Sequence, residues 1–135
     1  MDILNYDYII NGLKDFNNQK GKPYGNTIVS YPTKDTMFPF TIFEEIRNTA
    51  NVNYNSIFEK VASVGYRVDI FAKTKGNVTK QTIARTIAQM VDLYLSNIGL
   101  LRVSYNVSEL ENEGAIYHII LTYSGNLHEN RRNLI

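Results

Sequence analysis

Residues 64–107 constrain the fold of this chain more than any other stretch, because their apolar period changes twice. Val64, Tyr66, Val68, Ile70 and Ala72 alternate with Gly65, Arg67, Asp69, Phe71 and Lys73, the two-residue period of a half-buried strand. After Thr79, residues Ile83, Ala84, Ile87, Ala88, Val91, Tyr94, Leu95 and Ile98 share one helical face. Gly99 offers that helix a C-terminal stop, and Leu101, Val103, Tyr105 and Val107 resume the period of two. A single helix between two strands predicts that the strands run parallel through a right-handed crossover.

The flanking sequence extends this pattern. Ile3, Tyr6, Ile9, Ile10, Leu13 and Phe16 have helical spacing, which predicts an amphipathic helix over residues 2–18. A turn-rich loop at 17–26 leads into a short strand from Thr27 to Tyr31, ended by Pro32. In the next strand Phe40, Ile42 and Ile46 face one way, and Thr41, Phe43, Glu45 and Arg47 the other.

Residues 48–57 are asparagine-rich and read as a hairpin tip or a longer loop. Ser56-Ile57-Phe58-Glu59 matches a capping box and would start a short helix. Phe58, Ala62 and Val64 would instead extend the following strand backwards, and we favour the strand. Ala115, Tyr117, Ile119, Leu121 and Tyr123 mark a last strand antiparallel to 101–107. Ile116 and Ile120 give it a second apolar face, as expected of an inner strand. Residues 125–135 lack core periodicity and are expected to form a mobile tail.

The expected architecture is one α+β domain spanning 1–135. It has a mixed β-sheet, an N-terminal helix and one long crossover helix packed mainly on one face. The 135 residues, 44% apolar and 20% charged, suit a single hydrophobic core. Fourteen basic against thirteen acidic residues leave a net charge of +1, so nothing attracts the whole chain to nucleic acid or to an anionic membrane. The acidic start, Met1-Asp2-Ile3-Leu4, differs from a basic secretion signal, and no run reaches membrane-spanning length. A chain that stays unprocessed and soluble is expected.

Reactive constellations are hard to find. Without cysteine there is no thiol nucleophile, disulfide or cysteine metal site, and His118 and His128 lack the spacing of a metal-binding pair. His118 reads as a surface or interface residue. No Gly-x-Ser-x-Gly elbow positions a serine, and Glu44 and Glu45 point to opposite faces of their strand. Gly21-Lys22-Pro23-Tyr24-Gly25 lacks the spacing of a phosphate loop. Ten tyrosines raise the possibility of base stacking, yet Tyr66, Tyr105, Tyr117 and Tyr123 occupy apolar strand registers and read as packing residues.

The remaining candidates are partner contacts. Arg67, Asp69, Lys73 and Arg102, with Ser104, Asn106, Thr122 and Ser124, are expected on the sheet face opposite the core. Arg131 and Arg132, followed by Leu134 and Ile135, could anchor the tail on a neighbour.

Phe38-Pro39-Phe40-Thr41-Ile42-Phe43-Glu44-Glu45-Ile46-Arg47-Asn48-Thr49, followed by Val64-Gly65-Tyr66-Arg67-Val68-Asp69-Ile70-Phe71-Ala72-Lys73, resembles the tail terminator, or tail-completion, proteins of long-tailed bacteriophages and related prophage particles. The resemblance covers roughly residues 38–124 and consists of sheet residues rather than a reactive signature. It implies a structural virion-assembly protein, not an enzyme, with no cofactor. Its subunits would form a ring, typically a hexamer, that caps the tail tube, ends its polymerisation and offers a head–tail joining surface.

The partners so implied are further copies of the chain, the tail tube protein and a head-completion connector. Neither a membrane nor a specific nucleic acid is among them. The implied location is the bacterial cytoplasm during assembly, then the neck of the virion. Another neck or head-completion subunit is the alternative within this class; a small enzyme or a nucleic-acid-binding module would be alternatives outside it.

Overall fold

The computed structural model describes residues 6–33, 35–52, 60–110 and 116–129. Helix α1 (Tyr6–Gln19) is followed by a 3-10 turn (Pro23–Gly25) and strand β1 (Thr27–Val29). Next come β2 (Phe40–Val52), β3 (Lys60–Ala72), helix α2 (Lys80–Asn97), β4 (Leu101–Leu110) and β5 (Ile116–Glu129). The strands form a mixed sheet in the order β1-β2-β3-β5-β4. β1 is parallel to β2, and every other neighbouring pair is antiparallel.

Both helices lie on one face of this sheet. Ile9 and Leu13 of α1 and Ile83, Ile87, Val91 and Leu95 of α2 are buried against Phe43, Tyr66, Val68, Ile70, Ile119, Leu121 and Tyr123. The expected α+β domain with its helices on one face is therefore the observed one. Thr79 caps α2, its side chain accepting a hydrogen bond from the Thr82 N–H at 3.2 Å. Gly99, at φ 102°, turns the chain out of the helix in a conformation that other residues rarely adopt.

The crossover differs from the simplest expectation in one respect. β3 and β4 do run the same way, but β5 lies between them and pairs with both. β5 is thus an inner strand, as its two apolar faces predicted, and β4 is left at the edge. β5 also continues through Glu129, because β3 pairs with it back to Lys60, so residues 125–129 belong to the sheet rather than to a tail. At this end of β3, residues 60–63 are strand, as favoured; the capping-box segment 56–59 lies outside the described residues.

Candidate interaction surfaces

On the sheet face away from the helices, β3 presents Arg67, Asp69 and Phe71, and β5 presents His118, Ile120 and Thr122. Asp69 is at its centre. Arg67 closes a fork on its carboxylate, with Nε 3.0 Å from Oδ2 and Nη2 3.1 Å from Oδ1. From the next strand, His118 Nε2 lies 2.7 Å from Oδ1. An ionised carboxylate only accepts hydrogen bonds, so Nε2 carries the proton of this contact.

Burial alone would raise the Asp69 carboxyl, but the hydrogen bonds from His118 and Arg67 and their positive charge outweigh it and hold the group below the ordinary carboxylate range. The same contacts raise Arg67, led by its hydrogen bond to Asp69.

Asp69 is 4% exposed and His118 9%, so neither is the solvated surface group that strand alternation predicts. His118 begins a row of stacked rings. The His118 ring stacks on Phe71 at 4.1 Å, Phe71 on Phe40 at 5.0 Å, and Phe40 meets Phe38 at 5.1 Å. Lys73 ends the row with Nζ 4.5 Å from the centre of the Phe38 ring. The Asp69–His118 pair has the geometry of a general-base dyad, yet no serine, threonine or tyrosine hydroxyl among the described residues hydrogen-bonds His118. Its other contacts are those of a packed structural cluster.

Arg102 leaves the group predicted for this face. A β-bulge between Arg102 and Ser104 shifts the β4 register by one residue. Ser104 consequently stays on the far face, 2.5 Å from Thr122 Oγ1. Arg102 instead sits opposite Tyr123, on the helix side, with Nη1 3.7 Å from Asp92 of α2. Asp92 also accepts a hydrogen bond from the Tyr123 hydroxyl at 2.7 Å. Burial first, and Asp92 second, push that phenol far above its ordinary range.

Between α2 and β4 runs a groove of about 310 Å³, lined by Arg85, Ala88, Gln89, Asp92, Arg102 and Tyr105. Arg85 has no ion pair among the described residues.

β4 is the more conspicuous surface. Leu101, Val103, Tyr105 and Val107 form the apolar register that predicted a half-buried strand, yet they are 70%, 62%, 41% and 47% exposed. The bulge puts Leu101 opposite Ser124 on the far face, while Tyr105 and Val107, opposite Leu121 and Ile119, stay on the helix side, where the helices leave them uncovered. Among the described residues, no strand pairs with the outer edge of β4. Arg131 and Arg132, proposed from sequence as anchors, lie outside the described residues.

No protein-family model matches this chain, and no curated protein is significantly similar to it. Among the described residues no group of three or more histidines and carboxylates could hold a metal ion, and no helix is long and apolar enough to cross a membrane.

Proposed function

We propose that this protein is a structural assembly subunit that works by docking, as a ring that caps a tail tube in the manner of a phage tail terminator. One observation carries the reading: among the described residues, the ten-residue β4 has an unpaired outer edge, and it exposes Leu101, Val103, Tyr105 and Val107. An edge strand of this length and apolarity templates pairing with another chain unless something covers it. Exposed apolar surface gathered on one element marks an interaction site.

The resemblance of roughly residues 38–124 to tail terminators supplies the kind of assembly. The geometry supports a docking role because in the most elaborate polar cluster both Asp69 and His118 are buried and committed to each other, with Arg67 on the same carboxylate. In this reading the subunits meet through the sheet, and the assembled ring presents its faces to the tube end and to the head connector.

Electron microscopy and native mass measurement of the purified protein, alone and with polymerised tail tubes, test the reading. A homogeneous ring seated on tube ends, with tube growth arrested, is the expected result. Tubes that remain uncapped and continue to grow would overturn it.

A further inference from the structure

We infer that neighbouring subunits meet edge to edge, β4 of one copy lying antiparallel to β2 of the next. In that contact Glu45 faces the groove that holds Arg85 and Arg102. The inference rests on the ring reading above and names the surfaces that would build such a ring.

The sheet has a second open edge. β1 accompanies β2 only as far as Ile42. At the next residue, the Tyr6 hydroxyl donates to the Phe43 carbonyl at 2.5 Å and occupies that outward-facing acceptor. Beyond it, no strand among the described residues pairs with the outer side of β2 from residue 44 to 52. A closed ring needs two different, complementary surfaces on each subunit. This sheet supplies two, at opposite ends of the strand order.

Strand direction makes the two edges compatible. β2, β3, β5 and β4 alternate in direction, so β4 runs opposite to β2 within one copy. A second copy placed beside the first, with its helices on the same side, therefore meets β4 with an antiparallel β2. No subunit has to be inverted, as rotation about a ring axis requires.

The side chains match as well. Glu45 pairs with Tyr66 across β2 and β3, and the Tyr66 ring lies in the helix-side core. Glu45 is therefore on the helix side, as are the groove and Arg102. Glu44 and Glu45 are exposed on one edge, and Arg85 and Arg102 on the other. Each edge also exposes apolar surface: Ile46, 48% exposed at the β2 bulge, and the four apolar residues of β4. Complementary charge at such a contact fixes the register and selects the partner.

A charge-swap experiment tests the contact. Two variants, Glu45→Arg and Arg85→Glu with Arg102→Glu, are each followed by sedimentation alone and after mixing, with circular dichroism to check folding. Arg85→Glu alone, which leaves Arg102 beside Asp92, serves if the double change misfolds. Each variant alone brings like charges together, and its self-association is expected to weaken about tenfold or more.

The mixture restores opposite charges at every alternating contact, and assembly is expected to return. Unchanged association of either variant alone overturns the inference, as does a mixture that stays dissociated. Pairing between two β4 edges would ignore the Glu45 change and so gives the first of these results. Variants that keep assembling and keep capping tubes overturn the edge contact and leave the capping role standing. Wild-type protein that neither assembles nor caps tubes overturns both.

Discussion

Asp69 and His118 are joined across β3 and β5 by a 2.7 Å contact between Oδ1 and Nε2, although 49 residues separate them in the chain. The carboxylate also holds Arg67 in a two-pronged contact, so one nearly buried anion ties both central strands together. Its folded-state pKa lies below the ordinary carboxylate value. The resulting stabilisation is complete above the unfolded-state pKa and is lost as pH falls through the lower, folded-state value. Asp69→Asn is expected to cost about 2–3 kcal/mol at neutral pH, since it removes a buried charged acceptor with two partners. Urea denaturation from neutral to strongly acid pH checks this: the wild-type and Asp69→Asn stabilities should converge as the medium becomes acid. A gap independent of pH would assign the loss to packing alone.

A second buried network pins the loop before β1. Asn17 Nδ2 donates to the Asn26 carbonyl, Asn26 Nδ2 donates to Asn17 Oδ1, and Thr41 Oγ1 donates to Asn26 Oδ1, each at 3.0 Å. All three residues are at most 2% exposed. Asn26→Ala leaves Asn17 and Thr41 with unmet polar groups, and a loss of roughly 2–4 kcal/mol is expected. Thermal unfolding measures it. Truncating Thr41 as well should cost less than the sum of the two single changes, because they share one bond.

The two helices cross where Gly12 gives α1 no side chain. A Cβ there would lie 1.9 Å from the Tyr94 hydroxyl oxygen and 2.9 Å from Cζ. Tyr94 has little freedom to retreat, since its ring packs on Phe16 at 5.4 Å. Gly12→Ala gains about 1 kcal/mol of helix propensity, but forcing the ring aside costs typically 1–3 kcal/mol. The net effect expected is destabilising in the wild type and stabilising in a Tyr94→Ala background. Measuring all four combinations by denaturation gives the sign in each background.

The long periodic elements were legible in the sequence because their patterns are local. Helix α2, the strands beside it and the inner position of β5 all follow from apolar spacing. The site residues were harder for identifiable reasons. Strand alternation places Arg67 and Asp69 on the correct face, but it cannot show that Asp69 is buried there beside His118 and the row of rings that His118 begins.

The partner of Asp69 comes from a distant strand, and nothing near His118 in the sequence announces it. Arg102 was misplaced by a single bulged residue, which reverses the side of every residue before it on the strand. The exposure of Tyr105 and Val107 was missed because period two shows that a strand has an apolar face, not that another element covers it. The same alternation serves a core strand and an edge awaiting a partner.

That ambiguity makes β4 the place where stability and assembly should separate. Val103 and Val107 are 62% and 47% exposed in the single chain, so neither contributes fully to its core. Replacing both by lysine follows the natural means of blunting an edge strand, since a charge facing an approaching strand must be desolvated to pair. Exposed substitutions of this kind change folding stability by only about 0.5 kcal/mol. Chemical denaturation of the dilute protein should therefore show little change, while sedimentation at higher concentration should show assembly lost. If the valines instead serve only the fold, the order reverses: unfolding would shift markedly, and the remaining folded protein would associate as before.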